Sequence, residues 1–67
     1  MVETKSRNRI KELRDKKRMK QSVLAKKVGV FQSEISEIET GNRIPNVYLA
    51  LKIAKVLGER VEEIFLL

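Results

Sequence analysis

Residues Gln21 to Glu39, QSVLAKKVGVFQSEISEIE, constrain this chain more than any other stretch. Two short amphipathic helical patterns meet at Gly29. Leu24, Ala25 and Val28 share one face of the first, and Ile35 and Ile38 share one face of the second, with Val30 just ahead of it. Glycine carries no Cβ penalty at positive φ, so the chain can turn sharply between the two helices. Ala25, four residues before Gly29, is small enough to let the second helix cross closely over the first.

Two helices crossing at a tight glycine turn follow the logic of a helix-turn-helix, whose second helix is presented to the DNA major groove. The flanking residues extend the pattern. Ile10-Lys11-Glu12-Leu13-Arg14, Gln21-Ser22-Val23-Leu24-Ala25, Val28-Gly29-Val30 and Ile35-Ser36-Glu37-Ile38-Glu39-Thr40-Gly41 are followed by Pro45, Leu51-Lys52-Ile53-Ala54, Leu57-Gly58 and Glu63-Ile64-Phe65. In this order and spacing they resemble the phage-repressor helix-turn-helix domain (Cro/C1-type, XRE), from about Arg9 to Phe65. The resemblance implies an all-α fold, a compact five-helix lambda-repressor-like DNA-binding domain. It implies one domain over residues 1–67, with the helix-turn-helix unit at about 21–40.

Sixty-seven residues allow one small domain, and 42% hydrophobic residues are ordinary for a globular chain. The chain has no cysteine and no histidine, which excludes disulfides and a Cys/His zinc site. No cofactor is expected, and no small-molecule pocket is evident. No apolar run approaches the ~20 residues that span a bilayer. The start of the chain lacks an apolar signal core, so a cytoplasmic location is expected. An enzyme is not expected either: Ser22, Ser33 and Ser36 have no histidine base, and no glycine-rich phosphate loop is present.

The formal charge of +6 is unevenly spread. Residues 1–27 hold eleven Lys/Arg and three Asp/Glu, a net of +8; residues 28–67 hold four and six, a net of −2. Arg14, Asp15, Lys16, Lys17, Arg18 and Lys20 form the densest run. Such a block attracts polyanions and steers association, although alone it equally describes a solvated helix face.

Helical periods predict a first helix near Ser6 to Lys17, a second over Gln21 to Val28 and a third from Phe31 or Gln32 to Glu39. Met19 is expected to plug the first connection. Gly41 stops the third helix. Asn46 caps a fourth running to about Leu57, Gly58 ends it, and Val61 to Phe65 form a last turn or two. The expected core is Ile10, Leu13, Leu24, Ala25, Val28, Val30, Ile35, Ile38, Ala50, Leu51, Ala54, Leu57, Val61 and Ile64. The stem of Lys17 is expected to lie along the first helix's apolar stripe.

The resemblance also implies roles for individual residues. Gln21, opening the second helix, would bond a DNA phosphate, with Lys20 adding charge where a Ser or Thr cap is usual. Gln32 and Ser33 match base-reading positions, and Glu37 either matches a further one or is an exposed acid pointing clear of the DNA. Gln pairs with adenine N6/N7, Ser with either base type, and Glu with cytosine N4. Ser36 shares their outer face. Phe31 stands where a Ser or Thr cap is usual, and either packs back on the domain or touches a thymine methyl. Asn42 and Arg43 follow in a phosphate-contacting loop. Arg14 and Glu39 would form a partly buried structural ion pair.

The expected function is sequence-specific double-stranded DNA binding by a small transcriptional regulator, acting as a homodimer. The rival is a protein-interaction module of the same fold: an antitoxin, or a bridging adaptor that leaves DNA alone. Genomic neighbours, or affinity for random DNA at low salt, separate the two. Apolar surplus points to a self-interface: Leu49, Ile53 and Val56 repeat at helical spacing beside the expected core face of the fourth helix, and Phe65, Leu66 and Leu67 close the chain. A two-fold dimer is expected from Phe65 to Leu67 with the nearby ends of helices four and five.

Overall fold

The protein is described by a computed structural model over residues 8–65. Its helices, among the described residues, are α1 (Ile10–Lys16), α2 (Gln21–Val28), α3 (Gln32–Glu39), α4 (Val47–Leu57) and α5 (Val61–Phe65), and no strand occurs among them. The closest partners are α2 and α3, the crossing expected at Gly29, and α4 lies across α2, α1 and α5.

The sharp ends of these helices share one physical cause. At Gly29, φ is +79°, the Gly29 N–H bonds Lys26 O at 3.3 Å, and the Val30 N–H bonds Ala25 O at 3.0 Å. This paired bonding around a left-handed residue satisfies the last carbonyls of α2 and turns the chain at once into α3. The end of α1 is built the same way, but on Arg18 at φ +54°, with the Arg18 N–H to Asp15 O and the Met19 N–H to Arg14 O. A side chain is disfavoured in that conformation. Arg18→Gly is therefore expected to raise the free energy of unfolding in denaturant by about 0.5–1 kcal/mol. A loss of stability would show that the Arg18 side chain holds the turn.

The core comprises Ile10, Leu13, Leu24, Ala25, Val28, Ile35, Ile38, Ile53, Ala54, Leu57 and Ile64. Met19, Val30, Leu49, Val56, Val61 and Phe65 pack against it, partly buried. Two expectations for α4 are corrected. Leu51 is 53% exposed rather than internal, and Ala50 is only half-buried. Ile53, expected on a self-association surface, is fully buried, so it belongs to the core and cannot meet a partner. The inward stripe of α4 is Ile53, Ala54 and Leu57, with Leu49 and Val56 at its margin. Lys17, placed on the first helix's apolar stripe by its spacing, is instead exposed just past the end of α1. Leu66 and Leu67 lie outside the described residues, as does the start of the expected first helix before residue 8.

Side-chain and backbone bonds tie the first helix to the rest. The Asn8 amide donates to Ile38 O at 2.8 Å, and its oxygen accepts from the Ile10 N–H at 3.2 Å. The Arg9 N–H donates to Ile64 O at 2.7 Å. Asn8 thus fixes the start of α1 against the end of α3. No helix among the described residues is long and apolar enough to cross a membrane.

Candidate nucleic-acid interface

One polar chain runs from the interior to the outer face of α3. Arg14 Nε donates to Glu39 Oε2 at 2.7 Å and Arg14 Nη2 to Glu39 Oε1 at 3.2 Å, a two-pronged pair between buried side chains. Arg14 Nη1 donates to Met19 O at 2.7 Å, which ties the α1–α2 connection to the same guanidinium. Glu39 Oε1 also accepts from Gln21 Nε2 at 3.0 Å. Gln21 Oε1 in turn accepts from Gln32 Nε2 at 3.2 Å. A charged pair fixed by burial therefore orients Gln21 at the front of α2, and Gln21 orients Gln32 at the front of α3.

The two helix starts differ in how they are capped. No side chain caps α2, and Lys20 sits there in extended conformation with its ammonium exposed. The first N–H groups of α2 thus have no side-chain acceptor beside Gln21. At α3, Phe31 supplies no oxygen, yet its own N–H donates to Glu34 Oε1 at 3.4 Å, half of the usual reciprocal cap. The Phe31 ring is 79% exposed, so it does not pack back on the domain. Gln32 and Ser33 are exposed beside it, and Ser36 is half-buried one turn on.

The far end of α3 turns on Gly41, at φ +84°. The Gly41 N–H bonds Ile38 O at 3.1 Å and the Asn42 N–H bonds Glu37 O at 2.9 Å. This turn brings Arg43 back over α3. Arg43 Nε donates to Glu37 Oε1 at 2.7 Å, and Nη1 lies 3.8 Å from Glu34 Oε2. The hydrogen bond to Glu37 and then its charge hold the Arg43 guanidinium above its ordinary range, with Glu34 adding less. Asn42 is exposed.

Phe31, Gln32, Ser33, Ser36, Glu37, Lys20, Gln21, Asn42 and Arg43 are thus all on α3, at the front of α2 or in the loop after α3. Lys17, Arg18, Lys20, Lys26 and Lys27 are exposed and form no ion pair among the described residues. No cluster of His, Cys, Asp or Glu among the described residues is placed to hold a metal ion.

A second surface lies beside the first. Ile44, Val47 and Tyr48 are 90%, 70% and 78% exposed. Ile44 and Val47, with Arg43, Pro45, Leu51, Val61 and Phe65, border an open groove of about 580 Å³. Of the residues expected at a self-interface, Phe65 reaches this groove, whereas Leu49 and Val56 face the core. Sequence reasoning missed Ile44, Val47 and Tyr48 altogether. It also missed Asn8, whose position ahead of Ile10 is an ordinary helix-start signal.

The helix-turn-helix family model matches residues 10–64. An uncharacterized HTH-type transcriptional regulator of Archaeoglobus fulgidus is 47% identical over 60 residues, covering 90% of this chain and 86% of that protein. The uncharacterized HTH-type transcriptional regulator YgzD of Bacillus subtilis is 38% identical over 59 residues, covering 88% and 89%. The crystal structure of the restriction-modification controller protein C.AhdI from Aeromonas hydrophila superposes with a TM-score of 0.79 at 32% identity, covering 90% of this chain and 91% of that one.

Proposed function

The chain belongs to the helix-turn-helix family of DNA-binding transcriptional regulators, and from that premise we propose that it binds a specific double-stranded operator as a homodimer, with α3 in the major groove. Regulation then follows from occupancy, with no chemistry on the DNA. The relay from Arg14 through Glu39 and Gln21 to Gln32 carries this reading. A side-chain amide nitrogen has two hydrogens. Gln32 uses one on Gln21, which leaves the other hydrogen and its oxygen, the pair that adenine N7 and N6 require. Gln21 likewise keeps one hydrogen for a phosphate at the open start of α2, where the helix dipole favours an anion.

Ser33, Ser36 and Phe31 extend the base-facing surface, with the exposed Phe31 ring suited to a thymine methyl. Lys20, Asn42 and Arg43 border it as phosphate contacts. The similarity to a restriction-modification controller supports a regulator over an adaptor that leaves DNA untouched.

The groove face is the proposed dimer surface. Ile44 to Leu51 is eight residues without an ionisable acid or base, apart from the Tyr48 phenol, on a chain of net charge +6. Two such chains repel each other most weakly where they meet through this stretch. Phe65 lines the same groove, which keeps the end of α5 in the interface. A two-fold dimer would set the two α3 helices about one DNA turn apart, ~34–36 Å.

Selection of bound sites from random DNA, followed by anisotropy titration, tests the proposal. A dimer covering roughly six to ten phosphates should show a log–log slope of affinity against salt of about −5 to −9. Gln32→Ala and Ser33→Ala should cut discrimination between selected and random DNA by ~1–3 kcal/mol each. Gln21→Ala should weaken both alike, because phosphate contacts carry no direct sequence information. A near-flat salt slope, or equal losses on both DNAs for Gln32→Ala, would contradict the placement of α3.

A further inference from the structure

We infer that Glu37 and Arg43 form a clasp that exchanges partners on DNA and thereby separates cognate from random sequence. The inference rests on the reading that α3 enters the major groove. In the free protein Arg43 is held at 2.7 Å from Glu37, with Glu34 at 3.8 Å on its other side. Two carboxylates around one guanidinium leave a local net charge of −1 on a chain of net charge +6. The clasp is positioned by the α3 turn, because the Asn42 N–H and the Thr40 hydroxyl both bond Glu37 O.

Random DNA meets this cluster as a closed pair. Arg43 reaches a phosphate only when Glu37 lets go, and a released carboxylate among phosphates needs a donor. In the major groove cytosine offers one through its N4 amine, whereas the N6 amine of adenine stands beside the N7 acceptor, which repels a carboxylate. A cognate site with cytosine beneath Glu37 satisfies both groups at once: the carboxylate takes the amine, and the guanidinium takes a phosphate. Guanine and thymine leave either a closed clasp or an unpaired acid, and adenine pairs the acid only against the repulsion of its N7. The pair thus lowers affinity for random DNA and adds sequence dependence to a phosphate contact that would otherwise have none.

The test is a double-mutant cycle on a mixed-sequence duplex at low salt, with the intact chain, Glu37→Gln, Arg43→Ala and the double variant. Both side chains are about half exposed, so the fold is retained. Glu37→Gln should raise affinity for random DNA about fivefold, the scale of an exposed ion pair. It should also steepen the salt slope by about one, for one added phosphate. Arg43→Ala should change random-DNA binding by less than about twofold in the natural background and by about fivefold beside Glu37→Gln. Site selection with Glu37→Gln should lose a cytosine preference that the natural chain shows. Equal effects of Arg43→Ala in both backgrounds would overturn the clasp while leaving DNA binding intact. A failure of all four proteins to bind any duplex would overturn the DNA-binding reading and the clasp with it.

Discussion

Arg14→Ala is expected to cost about 3–5 kcal/mol of folding free energy, because it leaves the Glu39 carboxylate buried beside a single amide donor. A domain of this size has roughly 3–10 kcal/mol in total, at ~0.05–0.15 kcal/mol per residue. Most of the variant should therefore be unfolded, or close to it, at ambient temperature. Glu39→Ala should act in the same direction from the other side, leaving the guanidinium with Met19 O and, at 3.9 Å, the exposed Asp15 carboxylate. The double replacement Arg14→Met/Glu39→Leu behaves differently, since apolar pairs of similar volume often replace buried ion pairs without loss. Denaturant titration should show that protein near natural stability. Its discrimination between operator and random DNA should nevertheless fall about tenfold, because Gln21 loses the acceptor that orients it toward Gln32. A cost below about 1 kcal/mol for Arg14→Ala would mean that solvent screens the pair as it screens a surface pair. Unchanged discrimination in the double variant would mean that Gln32 needs no relay.

Parts of this arrangement are legible in the chain because they are local. Gly29, Gly41 and Gly58 stand where the helices stop, and each takes positive φ. The apolar spacing in α2 and α3 leaves a single inward face for Leu24, Ala25, Val28, Ile35 and Ile38. The α4 sequence VYLALKIAKVL is less decisive, since it is apolar nearly all round. Periodicity alone cannot choose between its stripes. Lys52 and Lys55 mark the choice: Tyr48 lies one turn before Lys52, and Leu51 one turn before Lys55, so those two apolar residues share the solvent side. Reading the lysines first would have placed Ile53 inward. The contacts at the DNA-facing surface are of another kind. Gln21 meets Gln32 across a helix crossing, eleven residues apart, and Arg43 meets Glu37 only because the chain reverses at Gly41. Such meetings depend on tertiary geometry and have no signature in spacing.

Val47→Glu and Leu51→Glu should each abolish self-association and lower operator affinity at least about a hundredfold. The two side chains are exposed, so the substitutions leave the core of α4 untouched. In a two-fold interface each chain presents the same patch, so one substitution places two carboxylates against one another across the axis. Desolvating that pair is unfavourable by several kcal/mol, more than a small apolar contact can offset, and Arg43, which lines the same groove, is already engaged by Glu37. The effect on DNA is larger than the loss of area suggests. Once the first α3 is seated, the second half-site is engaged intramolecularly, at an effective concentration in the ~mM range, and a monomer forfeits that gain. Random-DNA binding, which draws on the basic face of each chain separately, should fall far less. Sedimentation equilibrium at micromolar concentration should give a dimer for the natural chain and a monomer for either variant. A natural chain that sediments as a monomer, together with Val47→Glu leaving operator affinity within about twofold, would remove the groove of Ile44, Val47 and Leu51 from any role in pairing. The two recognition helices would then have to be joined elsewhere, and the one-turn spacing of the half-sites would lose its structural basis.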